Sequence, residues 1–221
     1  MLRCRFVVFL LSLLLLASCV TKDTDHKVLI SVADQTLELY RKNVVIARYP
    51  ISTSKFGLGD HPGSRGTPLG RLEIARKIGA GAPLGTVFKS RRPTGEILKP
   101  DAPGRDPIVT RILWLKGLDP ENRHAFDRFI YIHGTAEERN IGHPASYGCI
   151  RMRSVDVRRL FNNIGSGAEV DIIPGPLPDL PPGGPAPAMA GAPAPSPQPS
   201  PLPPSPAATA KADPISAPAT R

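Results

Sequence analysis

Period-two alternation, broken again and again by glycine and proline, most constrains the fold of this chain. From Val28 to Tyr40 apolar and polar residues alternate: Val28, Ile30 and Val32 share one face, and Leu37 and Leu39 follow after Asp34-Gln35. That pattern predicts a hairpin of two half-buried strands. Asn43 marks a second turn, and Val44 to Ile51 is a third strand. Lys55 to Gly70 is rich in glycine, proline and polar residues, which predicts a long surface loop. Further strands are expected at Gly70 to Ile74, near Thr86 to Phe88, near Gly95 to Leu98, and at Ile108 to Lys116. Two more follow at Phe129 to Ile132 and Val170 to Ile173, while Asp119-Pro120 suits either a brief helix or a loop. One stretch departs from the pattern. Val157, Leu160, Phe161 and Ile164 recur at helical spacing, with Ser154 as the expected N-cap and Gly165 as the expected stop. The body at 28–173 is thus mainly β, large enough for one core, with one helix near its end.

The ends of the chain differ from this body. Arg3 and Arg5 precede a nearly unbroken apolar run, Phe6 to Leu16, which is too short to span a bilayer comfortably. Leu16-Ala17-Ser18-Cys19 then resembles the lipobox of bacterial lipoproteins. The resemblance implies a signal peptide at 1–18, removed before Cys19, and acylation of Cys19. It implies attachment to a membrane through lipid, with 19–27 as a tether. An ordinary secretory signal is the other reading. Thr21 is not the aspartate associated with inner-membrane retention, so a periplasm-facing position on the outer membrane is expected. Residues 174–221 are dominated by proline, alanine and serine, a composition that buries no core and predicts a disordered tail. The net charge of +9 includes two positive charges in the leader and favours anionic partners such as wall polymers or head groups. The exported setting and the low aromatic content argue against nucleic acid.

Three cysteines remain to be placed. Cys4 leaves with the leader and Cys19 is the anchor, so Cys149 is the lone thiol of the mature chain. A lone thiol in an oxidising compartment is a liability unless it acts; the other reading is an inert buried cysteine. A thiol nucleophile needs a base and donors for the oxyanion formed on the attacked carbonyl. His133 closes the apolar run Phe129 to Ile132 and is a candidate base. Gly148 lets backbone approach closely, so the amides of Tyr147, Gly148 and Cys149 are candidate oxyanion donors. His143 is a rival base; His61 and His124 have no motif support. A zinc site from His133, His143 and Cys149 fits no structural ligand spacing.

These residues carry a family resemblance. His133-Gly134-Thr135, then Ile141-Gly142, Pro144, Ser146 and Gly148-Cys149-Ile150-Arg151-Met152 resemble the catalytic motif of the L,D-transpeptidases, the YkuD family. Val28 to Tyr40 resembles the family's opening hairpin, and Gly66-Thr67-Pro68-Leu69-Gly70 with Leu72 and Ile74 its Thr-Pro strand. The resemblance implies a β-sandwich-like fold with mixed sheets and a peptidoglycan stem-peptide substrate. It makes Cys149 the nucleophile that releases D-alanine from a tetrapeptide stem and forms a thioester. An amine on a neighbouring stem then gives a 3→3 cross-link. His133 is the implied base. Ser146 and Arg151 are implied site-wall residues, Arg151 as a partner for a stem carboxylate. Gly134 lies beside the base, and Thr135 is implied to orient the loop. Transfer of the thiol proton to His133 would give a ready thiolate near neutral pH. No metal or organic cofactor is implied, and carbapenem-type inhibitors are expected to bind. Tyr147 stands where the family usually has histidine, which puts substrate preference in doubt. Water, or a protein lysine, as acceptor leaves a carboxypeptidase, an amidase or a wall-anchoring transferase open. A non-catalytic wall-binding lipoprotein is the remaining alternative.

Overall fold

A computed structural model describes residues 21–179 and 188–189. The expected signal peptide, Cys19 and most of the proline-rich segment lie outside the described residues. The strands are β1 (His26–Ser31), β2 (Thr36–Arg41), β3 (Val44–Pro50), β4 (Gly70–Ile78), β5 (Thr86–Lys89) and β6 (Arg92–Ile97). They continue with β7 (Ile108–Gly117), β8 (Tyr131–Thr135), β9 (Ile150–Met152), β10 (Glu169–Ile173) and β11 (Ala188–Met189). One α-helix, α1 (Ser154–Asn163), is present among the described residues.

The expected strands are present, with shifted ends. β8 starts two residues later than expected, because Phe129 sits at φ 58° in a turn; His133 therefore lies inside the strand, not at its end. β4 runs on to Ile78. The mainly β, mixed character is as the sequence implies. The strands nevertheless form one connected sheet in the order β11-β3-β2-β1-β10-β4-β7-β5-β6, with β8 branching from β7 and β9 from β8. β1 runs parallel to β10, and β8 parallel to β9. β7 is the hub, pairing with β4, β5 and β8. The sheet curls, so that residues of β1, β2, β4, β7, β8, β9, β10 and α1 share one apolar core. Val157, Leu160, Phe161 and Ile164 of α1 all enter it, as their spacing predicts.

The helix ends differ from the sequence reading. Arg153, not Ser154, is the N-cap, and the Ser154 amide donates to the Glu138 carboxylate at 2.7 Å. Gly165 is required for close approach: a Cβ there would lie 2.7 Å from Asp23, whose carboxylate accepts the Gly165 amide. The start of the proline-rich segment is also tied down. Ser31 donates to the Gly175 carbonyl, and the Leu177 amide to Asp34. The backbone of β11 adds to β3 beside Ala47 and Arg48.

One strip of chain carries the order of this sheet to the cysteine loop. Gln35, at φ 48°, donates to the Thr53 hydroxyl and accepts from its amide. Residues 51–55 then pair with 142–151: Gly142 donates to Ile51, Ser146 to Thr53, and Ser52 and Arg151 exchange both backbone bonds.

Candidate active site

Parallel pairing sets Ile132 beside Ile150 and His133 beside Arg151. Successive strand residues face opposite ways, so Ile132, Ile150 and Met152 point into the main core. His133 and Arg151 belong to the other face. Cys149, the residue before β9, packs there against a second cluster that contains Tyr131, Trp114 and Phe88. The structure thus brings His133 and Cys149 to one face of two adjacent strands. Gly134 allows this packing, since a Cβ there would lie 2.6 Å from the Val109 carbonyl of β7.

The protonation state of the pair follows from its surroundings. His133 is buried, and its Nδ1 is 2.9 Å from the Gly134 carbonyl. A carbonyl only accepts, so Nδ1 carries the proton and Nε2 keeps its lone pair. Burial drives the imidazole pKa down to about 4; the Gly134 carbonyl and Asp106 oppose that fall, and the nearby Arg151 cation adds to it. Cys149 keeps a partly exposed flank, but its sulfur is set among protein atoms. Burial pushes the thiol up to about 11, while the Tyr131 amide and the Arg151 and Arg128 cations pull the other way. The thiol donates to the Phe129 carbonyl at 3.4 Å. Burial thus disfavours both the thiolate and the imidazolium. The sequence reading expects a ready thiolate through proton transfer to His133, and the burial of both groups works against that ion pair.

The turn before the thiol is built from its own polar atoms. Gly148 sits at φ 120°, and a Cβ would press on the Gly66 carbonyl at 3.1 Å and on Ile130 at 3.2 Å. Ser146 is not a wall residue. It is fully buried, donates to the Cys149 carbonyl at 2.6 Å, and accepts from the Gly148 amide at 3.2 Å. That bond occupies the Gly148 amide. Among the described residues the amides of Tyr147 and Cys149 have no protein acceptor. Thr67 donates to the Gly148 carbonyl and accepts from the Ser54 amide, which links the Thr-Pro segment to the turn.

Arg151 is already partnered. Its guanidinium lies 2.9 Å from the Asp106 carboxylate and 3.6 Å from Glu137, and it is nearly buried. Both contacts are made by one guanidinium nitrogen, Nη1. Thr135 donates to the same Asp106 at 2.6 Å, as its loop-ordering role implies. A second buried staple, Arg128, pairs with Asp60 at 2.6 Å and donates to the Gly59, Ser64 and Gly66 carbonyls, so it fixes the loop beside Gly148. Sequence reasoning missed Asp106, Asp60 and Arg128. Each lies far along the chain from the residue it orders, in a segment that reads as loop.

His143 is exposed, and its carbonyl accepts the Ser52 hydroxyl. Tyr147, 55 % exposed, packs on Phe56 at 5.3 Å under the Lys55 ammonium, which is 4.7 Å above its ring. Across the thiol, Trp114 stacks on Phe126 at 4.2 Å and meets Tyr131 edge-on at 5.6 Å. The arrangement offers an accessible soft nucleophile, a neutral acceptor nitrogen and open backbone donors, which are the parts of an acyl-transfer site.

A family model described as the L,D-transpeptidase catalytic domain matches residues 25–172. Over 150 residues the chain is 26% identical to the putative L,D-transpeptidase YkuD of Bacillus licheniformis, covering 67% of this chain and 66% of that protein. Over 50 residues it is 44% identical to the probable L,D-transpeptidase ErfK/SrfK of Escherichia coli, covering 23% of this chain and 16% of that one. The chain spans at most 66% of the length of these two relatives. Among solved structures, L,D-transpeptidase 3 from Mycobacterium tuberculosis in complex with a faropenem-derived adduct aligns with a TM-score of 0.45. That alignment has 16% identity over 67% of this chain and 60% of that chain.

Proposed function

The chain belongs to the YkuD family of L,D-transpeptidase catalytic domains, and from that premise we propose that it is a peptidoglycan L,D-transpeptidase with Cys149 as nucleophile and His133 as base. The observation that carries this reading is the common face of β8 and β9, which holds a reachable thiol and a neutral imidazole whose Nε2 is unprotonated.

Because burial disfavours both charged forms, proton transfer accompanies the attack of the thiol. Substrate displaces the thiol from the Phe129 carbonyl. As Sγ bonds to the scissile carbonyl carbon, its proton passes to His133 Nε2 and the carbonyl electrons move to oxygen. The Tyr147 and Cys149 amides receive that oxyanion. Collapse of the adduct breaks the C–N bond, and His133 returns the proton to the departing D-alanine amine. A thioester remains; an amine from a second stem attacks its carbonyl and gives a proton to His133, and the C–S bond breaks as His133 returns that proton to the Cys149 sulfur. His133 is neutral before each half-reaction, so it accepts a proton twice.

We propose further that Cys19 is acylated and that the domain faces the periplasm from the outer membrane. Replacement of Cys19 by alanine should move the protein from the membrane fraction to the soluble fraction.

Incubation with a carbapenem tests the nucleophile. Intact mass should rise by one inhibitor on Cys149, and Cys149→Ala should abolish the gain. Tetrapeptide muropeptides then separate the acceptors: a cross-linked dimer supports transpeptidation, a tripeptide means that water is the acceptor, and unchanged substrate with no carbapenem adduct means a binder.

A further inference from the structure

Arg151 already faces Asp106 and Glu137 through Nη1, and a second guanidinium, that of Arg91, stands on the aromatic cluster that packs Cys149. We infer that Arg91, carried on the β5–β6 turn, binds the terminal carboxylate of the donor stem and so selects acid-terminated stems. This inference rests on the transpeptidase reading above.

Three observations support it. The first is the strain of the turn. Lys89 and Arg92 pair, so Ser90 and Arg91 form a two-residue hairpin loop. Such a loop takes positive φ at both positions and is usually built with Asn-Gly. Here φ is 50° at Ser90 and 65° at Arg91. A side chain kept in a left-handed turn at a cost of about 1–2 kcal/mol, where glycine would relieve it, suggests a use for that side chain.

The second is position. The half-buried Arg91 guanidinium lies 4.9 Å from the Trp114 ring and 5.0 Å from the Phe129 ring. Trp114 belongs to the cluster that packs Cys149, and the Phe129 carbonyl accepts the thiol. The Tyr131 phenol is within electrostatic reach of both Arg91 and Cys149. A stem's terminal carboxylate is only a few bonds from the scissile carbonyl, so its partner must sit beside the nucleophile.

The third is availability. Arg48, Arg105, Arg128 and Arg151 each hold a carboxylate. Among the described residues Arg91 pairs with none. Stacking uses the faces of a guanidinium; one Arg91 N–H is directed at the Tyr131 phenol, and the remaining donors are left for a carboxylate. The aromatic bed also limits the side-chain freedom that binding would otherwise remove.

The test uses the full chain carrying Cys149→Ala, which binds stems without turning them over. Two tetrapeptides are titrated by calorimetry, one with a terminal carboxylate and one with a terminal carboxamide. The acid should bind at least about tenfold more tightly, as expected for a charge-assisted pair. Adding Arg91→Gln should erase that preference and leave the carboxamide affinity unchanged. Arg91→Lys should restore part of it, since charge returns without the fork. Circular dichroism checks that each variant is folded. An unchanged acid preference in Arg91→Gln, or an equal loss for both peptides, overturns the inference. A preference lost in Arg76→Gln instead would also overturn it, because Arg76 is the other cation near Trp114, 5.4 Å from its ring. The transpeptidase reading fails by a different result, no carbapenem adduct on unmodified protein, which this binding measurement does not involve.

Discussion

The two faces of the β8–β9 pair have opposite tasks. On one face Ile132, Ile150 and Met152 are completely buried among aliphatic side chains. On the other, within one residue's step, stand Cys149, Arg151 and His133. The first face is specified by volume. The second is specified by partners: His133 has the Gly134 carbonyl, Arg151 has Asp106, and Cys149 has Phe129. The same dense packing serves both. It anchors the sheet, and it removes the water that would otherwise solvate an imidazolium or a thiolate. Reactivity and stability are therefore separated here by side-chain direction, not by distance.

Substitutions one residue apart test that separation. Cys149→Ala has the largest expected effect, complete loss of carbapenem adduct and of stem turnover, with little change in melting temperature. Ile150→Ala, its neighbour, should instead leave a reactive thiol in a protein destabilised by about 2–5 kcal/mol. If Cys149→Ala destabilised as much as Ile150→Ala, the two faces would not be distinct.

His133→Asn comes next, with a loss of about 10²–10⁴-fold in acylation rate. It also tests the neutral pair through pH. The unfolded chain protonates this histidine near 6.5, whereas the folded chain resists until about 4, so its contribution to stability is lost as pH falls through that window. Asp156 acts in the opposite sense. Burial raises its carboxyl from 3.8 to about 6, so the folded chain holds that proton more tightly and gains stability as pH falls there. The informative quantity is the difference between proteins: from pH 7 to 4.5 the parent should lose more stability than His133→Asn. Equal losses would mean that the imidazole is not buried in its neutral form. Alkylation of Cys149 by iodoacetamide should likewise keep accelerating with pH toward about 11. A plateau already reached at neutral pH would mean a preformed thiolate.

Asp106→Asn has a smaller effect. It weakens the Asp106–Arg151 ion pair but retains a hydrogen-bond acceptor for Thr135. Acylation should fall, and the thermal midpoint should drop. Unchanged acylation would show that Arg151 needs no carboxylate to keep its place beside His133.

Much of the apolar face was legible in the sequence, and little of the polar face's support was. Alternation and helical spacing are local, so Val28, Ile30, Leu37, Leu39 and the Val157–Ile164 stripe could be assigned from neighbours alone. His133 and Cys149 could be picked out because they lie in one short segment. Asp106 and Arg151, or Asp60 and Arg128, meet only through topology. In sequence Asp60 and Asp106 read as ordinary surface charges beside glycine and proline. The β5–β6 hairpin was only faintly visible for a related reason. β6 is exposed along its whole length, so no buried face imposes alternation on it. Ser146 was misassigned because motif membership does not say whether a polar atom faces the substrate or the protein.

Tyr147 offers the smallest effect and the sharpest limit on the comparison, since it stands next to Gly148 yet belongs to neither face. Its ring is held by Phe56 and covered by Lys55 and by Arg65, 5.8 Å from its centroid. Its hydroxyl has no hydrogen-bond partner among the described residues. The ring and not the hydroxyl should therefore matter. Tyr147→Phe should leave acylation within about twofold. Tyr147→Ala removes an exposed cation–π contact of about 0.5–1 kcal/mol, and should weaken stem binding by about two- to fivefold. Tyr147→His, which brings in the residue usual in the family, keeps a ring. Below pH 6 it would add a positive charge beneath two cations, so its activity should decline in acid relative to the parent. If Tyr147→Phe were as impaired as Cys149→Ala, the phenol would be part of the chemistry, and the reactive face would extend beyond the two strands.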